Sequence, residues 1–160
     1  MRRILFVCTG NICRSPMAEV LLRAKFERDK ARRDWQVASA GTWTVDGRSA
    51  SEHAIAEMVQ RGLDLGDHRS RNVTRDMMAQ ADLVLVMTRN HVEALESAFP
   101  DQAHKVHLLS EVTGGSGDVE DPYGGSRQDY AQVARELERF LDEGYERIVG
   151  LAAKDPCEGP

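Results

Sequence analysis

Apolar and polar positions follow two rhythms along this chain. Four short runs, Ile4–Val7, Gln36–Ser39, Leu83–Met87 and Val106–Leu109, are apolar or β-branched and too short for helices, which predicts strands. The segments between them keep a helical period. Met17, Val20, Leu21, Ala24 and Phe26 mark a first helix, with Pro16 in the first turn that proline tolerates. "SASE", Ser49 to Glu52, has the spacing of a capping box and opens a helix through Ile55, Met58 and Val59 that Gly62 closes. A third helix spans Asn90 to Phe99, stopped by Pro100, and a shorter helical stretch covers Thr74–Ala79. The pattern Tyr130, Val133, Leu137, Phe140, Leu141, Tyr145, Ile148 predicts one long final helix. Strands that alternate with helices pair in parallel through right-handed crossovers. The expected fold is therefore α/β: a four-stranded parallel sheet with helices on both faces, residues 1–152 as one domain and 153–160 as a short tail.

Composition narrows the class. With 41% hydrophobic and 29% charged residues in 160, the chain is long enough for one buried core and has no stretch of transmembrane length. A net charge of -5 disfavours a nucleic-acid or anionic-membrane surface. "MRRILFV" begins like a signal peptide, but its apolar run stops at Thr9. Cys8, Cys13 and Cys157 are too few for a secreted disulfide framework, so a reducing cytoplasm is expected.

The chemistry concentrates in "CTGNICRSP", Cys8 to Pro16, between the first strand and the first helix. A loop there aims several backbone N–H groups at one point, and the helix dipole adds positive potential, which suits an oxyanion such as phosphate. Ligands of doubly wound sheets bind beyond the carboxyl ends of the strands. Thr9, Gly10, Asn11, Ile12 and Cys13 would line that point, with Gly10 permitting close approach and Asn11 tolerating left-handed geometry. Arg14 offers a fork for two phosphate oxygens, and the same field favours a thiolate at Cys8, a nucleophile aimed at phosphorus. A cysteine that ends a strand is otherwise a small core residue, and a glycine-bearing turn otherwise only turns the chain. No "GK[ST]" follows and no dinucleotide fingerprint is present.

"VCTGNICRSPMAE", Val7 to Glu19, resembles the signature of the low-molecular-weight protein tyrosine phosphatases, and "SAGTW" (Ser39–Trp43), "DHRS" (Asp67–Ser70) and "DPYGG" (Asp121–Gly125) follow in family order. The resemblance implies a protein-tyrosine phosphatase that works through a phosphocysteine on Cys8, with Arg14 on the phosphate and Asp121 as general acid, then general base. It further implies that Ser15 hydrogen-bonds the sulfur, that Asn11, Ser39 and His68 brace the loop in a polar network, and that Ile12, Trp43 and Tyr123 wall the substrate ring. Without the family, Asp121 is an acidic turn residue, Trp43 a core residue and His68 a surface one; Asp118 and Glu120 compete for the acid role. Many relatives carry an aromatic where this chain has Gly124.

No cofactor or metal is expected, because backbone N–H groups and Arg14 meet the phosphate charge. The expected partner is a phosphotyrosine-containing protein, with no nucleic acid and no membrane. Cys8 and Cys13 share one curled loop, so reversible oxidation to a disulfide is expected. Three readings compete with this one. Arsenate reductases resemble this loop but need later cysteines, which "LVLVMTRNHVEAL" lacks. A protein arginine phosphatase resembles it too, but that branch carries threonine where this chain has Ile12. A non-catalytic phosphate-binding module would not need Cys8, Arg14 and Asp121 together.

Overall fold

A computed structural model of the chain describes residues 1–155; Cys157 lies outside them. Four parallel strands, β1 (Arg3–Cys8), β2 (Gln36–Gly41), β3 (Leu83–Val86) and β4 (Val106–Leu108), form a sheet of order β2-β1-β3-β4. The helices are α1 (Arg14–Arg28), α2 (Glu52–Gln60), α3 (Arg75–Gln80), α4 (Arg89–Ala98), α5 (Arg127–Glu143) and α6 (Tyr145–Ala153). Short 3-10 turns flank β4, at Pro100–Lys105 and Leu109–Thr113.

The central strands are apolar on both faces because helices cover both. Ile4 and Phe6 of β1 and Leu83 and Leu85 of β3 pack with Met17, Leu22 and Phe26 of α1 and Leu137 and Leu141 of α5. Leu5, Val7, Val84 and Val86 face the other way, against Met78 of α3 and Leu95 of α4. Each such side chain contributes roughly 1.5–3 kcal/mol when fully buried, which fixes the strand register firmly. The chain leaves β1 first for β2 on one side and then for β3 on the other. The carboxyl end of β1 is therefore the switch point, and Cys8 stands on it.

β2 forms one edge of the sheet. Its outward carbonyls at Val37 and Ser39 accept Arg23 Nη2 and Arg71 Nε, each at 3.1 Å.

Two expectations fail. The long final helix is broken at Gly144 into α5 and α6. Any Cβ at that position would collide with the Val112 side chain and the Phe140 carbonyl, so the close approach of the Leu109–Thr113 turn requires glycine. The box at Ser49–Glu52 does not form: Ser51 precedes α2 without capping it, and its hydroxyl lies 3.3 Å from the Cys13 sulfur instead. Capping boxes occur at Thr88–His91 and Ser126–Asp129, each with its reciprocal side-chain bonds. The remaining elements match within two residues at each end, the helix expected to begin at Ser49 apart.

Candidate active site

The loop after Cys8 is held from behind by one asparagine. Asn11, fully buried, has φ 55°, the only positive φ of a non-glycine residue among the described residues. Left-handed backbone costs about 1–2 kcal/mol in an ordinary residue, and here buried bonds hold it. Asn11 Nδ2 donates to Ser15 Oγ and Ser39 Oγ, both at 2.9 Å, while Oδ1 accepts the Arg71 N–H at 3.1 Å. Its carbonyl accepts His68 Nε2 at 2.6 Å, so the half-buried His68 joins the network through the main chain. Gly41 lets β2 pass so close that a Cβ there would strike the Thr9 carbonyl.

Cys8 Sγ and Ser15 Oγ lie 2.9 Å apart. Ser15 Oγ also accepts from Asn11 Nδ2 and keeps its own proton to donate. Where Cys8 is a thiolate, the serine hydroxyl is the donor of this pair. Capping is not its role, since it lies inside the first turn of α1.

The front of the loop is rich in unspent donors. α1 starts at Arg14 behind Cys13, with no side chain capping its N-terminus. Among the described residues, no protein acceptor takes the backbone N–H groups of Gly10 to Arg14. Arg14 is 3% exposed; Nη1 donates to the Val119 carbonyl at 2.9 Å and Nη2 lies 3.5 Å from Asp121 Oδ2. Its Nε is buried with no hydrogen-bond partner. A buried guanidinium with an idle N–H beside a fan of idle amides fits a bound oxyanion.

These groups open into a cavity of about 360 Å³ lined by the loop, Trp43, Thr44, Val45, Arg48, Asp121 and Tyr123. Trp43 is 78% and Tyr123 62% exposed, which makes them rim residues rather than core. Ile12 is buried in the wall. Asp121 hangs above, its Oδ1 accepting the Tyr123 N–H at 3.1 Å. Asp118 is committed elsewhere, accepting the Arg89 N–H at 2.9 Å, and neither Asp118 nor Glu120 lines this cavity.

Cys13 lies 3.2 Å from Tyr130 Oη and 3.3 Å from Ser51 Oγ. Burial pushes the Cys13 thiol up, and burial with the Cys13 contact pushes Tyr130 up to about 12.

Sequence reasoning missed His91. Its Nε2 lies 2.8 Å from Thr9 Oγ1, and its Nδ1 accepts the Thr88 N–H at 3.1 Å. Burial, reinforced by the Arg14 charge, pushes the ring down from 6.5 to about 4. The available signal was "TRNH", a capping box that has histidine in its fourth place. Arg48 and Val45, on the rim, carried no signal.

The family model described as low molecular weight phosphotyrosine protein phosphatase matches residues 3–149. A protein-arginine-phosphatase of Bacillus subtilis is 43% identical over 139 residues, 86% of this chain and 91% of that one. A low molecular weight protein-tyrosine-phosphatase of Streptomyces coelicolor is 38% identical over 163 residues, 94% of this chain and 98% of the other. The solved low molecular weight protein tyrosine phosphatase from T. tengcongensis superposes with a TM-score of 0.86 at 40% identity, covering 92% of this chain and 99% of that one.

Proposed function

Because the chain belongs to the low molecular weight phosphotyrosine protein phosphatase family, we propose that it hydrolyses phosphotyrosine in protein substrates, with Cys8 as nucleophile, Arg14 as phosphate clamp and Asp121 as general acid and base. One observation carries this reading. The Ser15-bonded sulfur of Cys8 begins a loop whose N–H groups from Gly10 to Arg14 have no protein acceptor among the described residues, and the buried Arg14 Nε has none either.

Two displacements at phosphorus follow. The Cys8 thiolate attacks in line, forming an S–P bond as the bond to the phenol oxygen breaks. The leaving oxygen takes its proton from the Asp121 carboxyl, while Arg14 and the loop amides meet the charge on the equatorial oxygens. Water then attacks phosphorus, gives its proton to the Asp121 carboxylate and displaces the thiolate. The Ser15 hydroxyl stabilises the sulfur as it leaves. Because this chain's own groups meet the phosphate charge, turnover is expected to survive a chelator.

The ring preference rests on Ile12, Trp43 and Tyr123. A branched apolar side chain offers contact area to a phenyl ring and no hydrogen bond to a guanidinium. Burying that polar group without a partner costs roughly 1–3 kcal/mol, about ten- to a hundred-fold in rate. Phosphoarginine is the second reading, favoured by the 43% identity to a protein named as an arginine phosphatase. Gly124 places no side chain next to Tyr123, where many relatives carry an aromatic, which also suits it. The discriminating measurement is kcat/KM on phosphotyrosine and phosphoarginine peptides, for the wild type and Ile12→Thr. Tyrosine preference that weakens in Ile12→Thr is the expected result. Wild-type preference for phosphoarginine reverses the assignment.

A further inference from the structure

His91 sits where three segments meet: the phosphate loop, the start of α4 and the loop that carries Asp121. Its Nδ1 accepts the Thr88 N–H at 3.1 Å, so the neutral ring carries its proton on Nε2. That N–H points at Thr9 Oγ1, 2.8 Å away. The Thr9 carbonyl in turn accepts the Trp43 N–H at 3.1 Å. Thr9 is thereby held by its side chain from α4 and by its carbonyl from the segment after β2. In a planar trans peptide, fixing that carbonyl sends the Gly10 N–H the opposite way, which sets the first amide of the anion cradle.

The acid loop is tied to the same corner. Asp118 Oδ1 accepts the Arg89 N–H at 2.9 Å, Val119 N–H donates to the Met87 carbonyl at 2.8 Å, and the Val119 carbonyl accepts Arg14 Nη1 at 2.9 Å. The ring is 4% exposed, so neither of its bonds is exchanged freely with water.

We propose that His91 is a positioning residue: its Nε2–H fixes Thr9 and, through the Thr9–Gly10 peptide, the anion cradle, while its Nδ1 locks the turn from which the acid loop hangs. This extends the phosphatase reading and rests on it. The charged groups around the ring are Arg14 from α1 and Asp118 and Asp121 from the acid loop; burial and Arg14 keep it neutral. A protonated ring would set an Nδ1–H against the Thr88 N–H and end that bond, with the Thr88 hydroxyl, 3.1 Å away, the acceptor left to it.

The test is a double-variant cycle read by kcat/KM and by inhibition with inorganic phosphate. His91→Phe keeps the ring shape and removes both bonds; Thr9→Val removes one partner. Each alone should weaken phosphate affinity and kcat/KM by about ten-fold. Together they should lose much less than the product of the two, because the Thr9 bond is shared. His91→Gln, which returns an N–H toward Thr9, should recover most of the phosphate affinity. Losses that multiply in the double variant, or a Gln variant no better than Phe, overturn the proposal. If His91→Phe does not fold, the cycle runs on His91→Leu, which also removes both bonds, and Thr9→Val, and losses that multiply there overturn it equally. Cys8→Ser keeps the two claims apart. Turnover surviving in that variant sinks the phosphatase reading itself, whereas a dead Cys8→Ser with an additive cycle sinks only the role of His91.

Discussion

The phosphate loop and the Asp118–Gly125 loop face each other across one cavity and are built on opposite principles. In the first, Cys8, Asn11, Arg14 and Ser15 are all buried, and every polar atom of the Asn11 side chain has a partner. In the second, the Asp121 side chain is 48% exposed and held by a 3.5 Å ion contact and one turn bond. A bound phosphate meets a cradle that has already met its ordering cost during folding. The leaving group meets a side chain that can swing. Rigid binding of the common part and loose handling of the variable part suit an enzyme whose substrates share a phosphate and differ beyond it.

The comparison breaks most sharply at the nucleophile. Cys8→Ser should lower kcat on an aryl phosphate by at least about a thousand-fold while still binding phosphate. Retained turnover, measured with chelator present, would move the chemistry away from the rigid loop.

The loose half is tested by leaving groups. Asp121→Ala should slow phosphotyrosine hydrolysis by about a hundred- to ten-thousand-fold and an activated aryl phosphate far less. Equal losses on both substrates, or none on phosphotyrosine, would pass the acid role to Asp118 or Glu120.

Asn11 sharpens the rigid half. Asn11→Ala removes three side-chain bonds and leaves a strained backbone, for a loss of about 2–4 kcal/mol of stability in denaturant melts. Asn11→Gly relieves the strain without restoring the bonds, so it should recover only part of that loss.

How much of this was legible in the sequence depends on distance along the chain. Cys8, Asn11, Arg14 and Ser15 sit within one turn, where spacing alone aims their groups at a common point. Asp121 carried no signal of its own, since Asp-Pro is an ordinary turn, and only the family resemblance singled it out. His91 showed only as the fourth place of a capping box; its link to Thr9 was hidden because Thr9 is 82 residues away and depends on β1 and β3 lying side by side. The break at Gly144 hid for a similar reason. The helical period runs on through Tyr145 and Ile148, and only the Val112 side chain, brought in by a distant turn, forbids continuity. Ser49–Glu52 misled because the spacing of a cap fell just ahead of a helix whose neighbouring serine is engaged with Cys13.

A further expected effect is one of pH. Between about 4 and 6.5 the unfolded chain binds a proton on His91 that the folded chain refuses, so stability should fall as pH drops through that window. Melting curves of wild type and His91→Phe should diverge above it and converge below. Parallel curves would show that the ring is not kept neutral by folding.

The β2 edge has a consequence for life at high concentration. An open strand edge invites a neighbour's backbone, the first step toward chains that stack rather than float. Here an incoming strand finds the Val37 and Ser39 carbonyls already taken by arginines, so its own N–H groups have nothing to grip at those two places. Arg71, one of these two guards, also holds Asn11 through its main-chain N–H. One side chain thus covers part of the sheet edge while its own main chain holds the loop that follows Cys8.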